Sequence, residues 1–122
     1  MKVKDIIWID KDSHEAEVLV SDGVHHCHAF CHPCHLKVGD EILEPLHSLG
    51  EASVYRVDHQ EVTIRQQPGS DCWQHELVAV VLDRDTKLVQ VGQIRVVLST
   101  MPGDIANGET IECFPDRLDI YD

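Results

Sequence analysis

Glu15-Ala16-Glu17-Val18-Leu19-Val20-Ser21-Asp22-Gly23-Val24-His25-His26-Cys27-His28-Ala29-Phe30-Cys31 is the stretch that decides the fold. From Glu15 to Ser21, Ala16, Val18 and Val20 share one face, and Glu15 and Glu17 share the other. That alternation is the period of a half-buried strand. Asp22-Gly23 follows, and Asp-Gly beside an alternating run is a strong hairpin-turn signal. Val24 to Cys31 then reads as the return strand. On it His25, Cys27, Ala29 and Cys31 fall on one face, while Val24, His26, His28 and Phe30 fall on the other.

Similar punctuation runs along the rest of the chain. Val38 to Leu43 reads as a turn entering a strand, and Glu41 to Leu49 has room for one short helical turn. Ser53 to Val57 and Val62 to Arg65 read as a second hairpin with Asp58-His59-Gln60-Glu61 as its loop. Pro68-Gly69-Ser70-Asp71 is a break. Leu77 to Leu82 is continuously apolar and reads as a buried strand. Leu88 to Val91 and Ile94 to Leu98 carry opposite parity, which predicts a bulge or bend at Gly92. Thr110 to Cys113 and Arg117 to Tyr121 close the chain on either side of Pro115-Asp116. No stretch has helical periodicity with caps. The expected fold is all-β: one domain over residues 1–122, a small closed or partly open antiparallel barrel of the OB type with a hairpin extension.

Two segments, FCHPCHLKVGDEI from Phe30 and PGDIANGETIECFPDRLDIY from Pro102, resemble small uncharacterised bacterial proteins of OB-like barrel form. The resemblance implies a fold and a bacterial origin. It implies no reaction.

Charge and composition narrow the function. The 122 residues include 22 acidic and 10 basic side chains, for a net charge of −12. Such a field repels phosphate backbones, so nucleic acid is not an expected partner, whereas metal cations and basic polypeptides are drawn in. No apolar run nears the roughly 20 residues of a membrane-spanning helix. MKVKDIIWIDKD lacks the apolar segment of a secretory signal. A cytoplasmic protein without membrane partners is expected. Its five cysteines are then thiols or ligands rather than a disulfide framework.

The return strand runs into HHCHAFCHPCH, residues 25–35, in which eight of eleven residues are His or Cys. Two readings compete. In one, Cys27, Ala29 and Cys31 simply pack an inner wall, since unpaired cysteine behaves as a small hydrophobe. In the other, Cys31-His32-Pro33-Cys34 is a C-x-x-C turn that closes on zinc, the ion suited to thiolate and imidazole. Cys72-Trp73-Gln74-His75 supplies the leading distal pair, giving Cys31, Cys34, Cys72 and His75. His28, His32 and His35 are the local alternates. An iron–sulfur reading of Cys27, Cys31 and Cys34 lacks the chain length and helices that such folds use. A redox C-x-x-C lacks the helix N-terminus that lowers a thiol pKa.

His14, His47 and His59 are expected on the surface, Trp8 and Trp73 in the core. Asp116, Asp119 and Asp122 are expected to form a solvated edge. No catalytic spacing stands out. The expected protein is a non-catalytic barrel carrying a structural or sensory zinc. The alternatives are an interaction module without metal, with another protein or a second copy as partner, and then a small metal-dependent enzyme.

Overall fold

The computed structural model describes residues 1–50, 53–58, 61–67 and 73–121. Among them there is no helix, and eleven strands form one mixed sheet. The first three are β1 Lys2–Asp10, β2 Glu15–Ser21 and β3 His26–Cys31. Next come β4 Leu46–Leu49, β5 Val54–Arg56, β6 Thr63–Gln66 and the long β7 His75–Asp83. The last are β8 Leu88–Val91, β9 Ile94–Val97, β10 Thr110–Cys113 and β11 Arg117–Ile120. Spatially the order is β1-β2-β3-β11-β4-β9-β8-β7-β10-β5, with β6 attached to β7.

The founding hairpin forms as its alternation dictates, pairing Ala16 with Cys31, Val18 with Ala29 and Val20 with Cys27. All six side chains are buried. Its turn is longer than a two-residue loop, and β3 starts at His26 rather than Val24. The Asp22 side chain is the reason. One carboxylate oxygen accepts the N–H groups of Val24 (2.9 Å) and His25 (2.6 Å), and the other accepts Gln93 N–H (2.9 Å). Burial pushes the Asp22 carboxyl up, but those backbone donors and the His25 ring hold it well below the usual carboxylate range. One side chain thus joins two turns that are far apart in sequence.

The second of those turns corrects the reading of Gly92. Val91 pairs directly with Ile94, so Gly92-Gln93 is a two-residue hairpin turn and not a bulge. The parity switch is what such a turn produces, because paired residues share a face. Gly92 takes the first turn position with φ 58°, where the II′ geometry needs a positive φ. A Cβ there would also press into Asp22 Oδ2 and the His25 ring.

β7 is the hub of the sheet. Its first half pairs with β6 from His75 to Val78, its second half with β8 from Val80 to Asp83, and β10 lies along its other edge. Leu77, Val78, Ala79 and Val81 are buried, which is why this run is continuously apolar rather than alternating.

Other expectations are corrected. β5 and β6 do not pair as a hairpin; they join β10 and β7 separately. Their loop residues His59 and Gln60 lie outside the described residues, as do Pro68 to Cys72 and Asp122. Within Glu41 to Leu49 no helical turn forms; β4 covers its end, and Glu41 makes an isolated bridge to Lys2. β11 is not a solvated edge, because it lies between β3, to which it is parallel, and β4. Asp119 is accordingly buried, held by both arms of Arg117 at 2.7 and 3.0 Å.

β3 and β6 lie side by side, far apart in sheet order, so the sheet curls strongly. No ladder joins them among the described residues, and β1, β5 and the outer side of β6 remain as edges. The sheet is therefore open, so of the expected closed or partly open barrel its ladders do not form the closed one. Nor is it wholly antiparallel, since β11 with β3 and β4 with β9 are parallel. No described helix is long and apolar enough to cross a membrane.

One hydroxyl sits badly in this core. Ser48 on β4, opposite Leu118, is buried and its Oγ has no hydrogen-bond partner among the described residues. Removing an unsatisfied polar group recovers its desolvation cost. Ser48→Ala is expected to leave stability unchanged or raise it by up to about 1 kcal/mol in urea unfolding. A clear loss of stability would contradict this account of the core.

Candidate functional site

Strand parity divides the His/Cys-rich stretch. Cys27, Ala29 and Cys31 face inward with essentially no exposure, while His26 is exposed and His28 and Phe30 are half-buried on the outer face. Burial pushes the Cys27 thiol up to about 12, and the Asp22 charge adds to the shift. At neutral pH it is a neutral packing group rather than a thiolate. Beyond the strand, Cys34 is buried while His32 and His35 are exposed. The turn is tied down by Cys34 N–H donating to His14 C=O at 2.7 Å, and Cys31 Sγ approaches Pro33 C=O at 3.9 Å. The rings of His14 and His35 stand 5.0 Å apart beside a cavity of about 330 Å³ that Trp8, Lys11 and Cys34 also line.

His75, read as a distal zinc ligand, is placed differently. It opens β7 with no exposed surface. Its Nδ1 donates to Trp73 C=O at 2.9 Å, and its Nε2 accepts the His28 backbone N–H at 3.1 Å. The second bond repairs a gap in the sheet. β11 pairs with β3 only at Phe30 and Cys31, so it leaves the His28 amide without a ladder partner. Both ring nitrogens are thus occupied, and ligation through either would break one of these bonds. Burial holds the ring neutral, with its pKa down to about 4; the Trp73 hydrogen bond opposes this and the neighbouring His28 reinforces it.

On the outer face His28 Nδ1 meets Glu17 Oε1 at 3.0 Å. The imidazoles of His28 and His75 are 6.3 Å apart, linked only through a backbone amide. An amide N–H does not relay protons at neutral pH, so Glu17, His28 and His75 form a structural chain rather than an acid–base relay. Nearby, the Arg117 guanidinium lies 4.2 Å over the Phe30 ring, and Trp73 meets that ring edge-on at 5.7 Å. Trp73 therefore anchors an outer layer, half-buried, while Trp8 is 37% exposed. Neither is a core residue.

The structure thus joins Cys31 to Cys34 in one turn and His28 to His75 across a seam. Cys72 lies outside the described residues. Among the described residues no three His, Cys, Asp or Glu side chains converge on one point. Glu17 was missed as a functional partner, although its place on the polar face opposite the histidines was the available signal. β1 was missed entirely. Its β-branched and aromatic run, Ile6-Ile7-Trp8-Ile9, was the signal that could have found it.

No protein family, no curated protein and no solved structure matches this chain.

His75 makes a sharp pH prediction. Its folded pKa lies below the ordinary imidazole value, so the unfolded chain takes up the proton first. Stability should fall as pH drops through the window from about 6.5 to about 4, and this contribution then levels off. The full loss is about 3 kcal/mol by proton linkage. In His75→Gln the amide oxygen keeps the acceptor and nothing titrates, so the excess slope in that window should vanish. His75→Ala should cost about 2–4 kcal/mol at neutral pH. Equal slopes for wild type and His75→Gln in urea unfolding would remove His75 as the titrating group.

Proposed function

We propose that this chain is a non-catalytic interaction module that takes an extended polypeptide onto the open edge of β1. The observation that carries the reading is a row of three exposed apolar residues on an edge strand: Ile7 (50% exposed), Trp8 (37%) and Ile9 (49%). An edge strand offers unpaired N–H and C=O groups, and strand addition at such an edge is a recurring mode of peptide recognition. The acidic field favours a partner with basic flanks. We read the protein as a small cytoplasmic one of barrel-like form, related in architecture to OB-like barrels. What supports the barrel-like form is the placement of β3 beside β6.

A second reading keeps a zinc ion on Cys31 and Cys34, with Cys72 or a local histidine completing the set. The burial of both cysteines on one tight turn favours it. His75 would join only by giving up a ring hydrogen bond.

A display library of linear peptides, selected on the folded protein, tests the module reading. Enrichment of extended, alternating apolar sequences is expected, and it should be lost on Ile7→Lys. Equal enrichment on both proteins would reject β1 as a peptide edge. Elemental analysis of protein purified without a histidine tag tests the zinc reading. About one equivalent, lost with a drop in melting temperature in Cys34→Ser, would establish it. Less than about a tenth of an equivalent would exclude a structural site.

A further inference from the structure

We infer that the occupant of the β1 edge is β1 of a second copy of this chain, paired antiparallel about a two-fold axis through Ile7. The inference rests on the module reading above and names its partner.

The free edge has defined limits. Met1 and Val3 are already taken: Ile42 N–H donates to Met1 C=O, Gly39 N–H to Val3 C=O, and Val3 N–H to Asp40 C=O, at 2.8, 2.8 and 2.9 Å. At the other end β1 stops at Asp10 and turns into β2. What remains without a main-chain partner on this outer edge among the described residues is Lys4 to Asp10, and its midpoint is Ile7.

Backbone polarity is compatible with the same centre and uses both outward residues there. Val3 presents both its N–H and its C=O to the outer edge. A bulge between Val3 and Asp5 inserts one residue and shifts the outward set by one, to Ile6 and Trp8. The Ile6 N–H is met by the Asp5 carboxylate at 2.9 Å rather than by β2, as an outward amide would be. Antiparallel pairs exchange both hydrogen bonds between facing residues. With the axis at Ile7, Ile6 of each copy faces Trp8 of the other, which matches outward amide to outward amide. Ile7 meets its own counterpart at a close, non-hydrogen-bonded pair.

Charge agrees with this register. The axis at Ile7 sets Lys4 opposite Asp10 of the second copy, twice by symmetry, with only Asp5, Ile6, Ile7, Trp8 and Ile9 between. Sliding by one residue in one direction sets Lys4 against Lys11 and Asp5 against Asp10, and like charges directly opposite are destabilising. Sliding in the other sets Lys4 against Ile9 and Asp5 against Trp8, which loses both Lys4–Asp10 pairs and sets the outward Ile6 against the inward Ile7. The second bulge, between Trp8 and Asp10, ends the regular stretch. The other edges, β5 and the outer side of β6, have only three and four residues. A two-fold pairing at β1 therefore closes as a dimer rather than propagating as a fibre.

Light scattering during size exclusion, on the untagged full chain from about 1 to 200 μM, gives the test over the range of weak to moderate affinities. The wild type is expected to run at twice the chain mass at the upper concentrations. Ile7→Lys should run as a monomer with an unchanged far-UV spectrum. Lys4→Asp should weaken association at least tenfold, and Lys4→Asp/Asp10→Lys should restore it. That rescue stays informative even if Ile7→Lys fails to fold. A wild-type monomer across the range overturns the inference, as does a dimer indifferent to both the Ile7 and the charge variants. Neither outcome bears on whether a different peptide binds β1, which the display selection reads separately.

Discussion

A neutral imidazole holds the sheet where its ladders leave off. β3 is fully paired along β2 but meets β11 at only two residues. The outer half of that edge faces the start of β7 without a ladder between them. His75 fills the place of a strand there, accepting the His28 amide and donating to Trp73 C=O. A protonated ring could not accept, so the bond depends on burial keeping His75 neutral. The packing around it follows from the same position. Val78 and Leu77, a few residues on, pair with Thr63 and Ile64 of β6 and with Glu112 and Cys113 of β10, so displacing His75 would loosen three strands at once.

Most of the β elements were legible because their signals are local. The β2–β3 alternation, the apolar run of β7 and the break at Pro115-Asp116 each depend on a few adjacent residues. What was misread depends on partners distant in sequence. Val54 to Arg56 and Thr63 to Gln66 look like a hairpin because they are neighbours, yet each is claimed by a different strand arriving later in the chain. β11 looks like an acidic edge because its burial comes from β3 and β4. The turn at Asp22 was legible as a turn but not in its length, since one carboxylate serves two loops.

The candidate site shows the same division more severely. Ligand-rich composition is a statement about residue types, whereas ligation needs lone pairs converging on a point. Strand geometry works against that convergence in HHCHAFCHPCH, because successive side chains leave opposite faces. Cys27 and Cys31 go to the core with Ala29, beside their ladder partners Val20, Ala16 and Val18 on the same buried face. The histidines go outward, where His28 finds Glu17. Only at Cys31 to Cys34, past the end of β3, can two sulfurs share a turn. Spacing alone could not reveal that His75 would spend both nitrogens on backbone groups.

The His75 bridge, the loop at residues 39–42 and the β1 edge bear on one physical problem, an open curled sheet with unsatisfied backbone. Such a sheet can satisfy its amides with its own side chains, with loops, or with another strand. His75 does the first at the inner seam. Residues 39–42 do the second along Met1 to Val3. Along Lys4 to Asp10 neither device is present beyond the single Asp5 contact to Ile6 N–H, and there the exposed side chains turn from charged to apolar. Where a protein guards an edge it places charge in the middle of the strand. Here the charges stand at the ends, Lys4 and Asp5 at one and Asp10 at the other, with isoleucines and tryptophan between them. That arrangement leaves the centre open to a strand and uses the flanking charges to set its register.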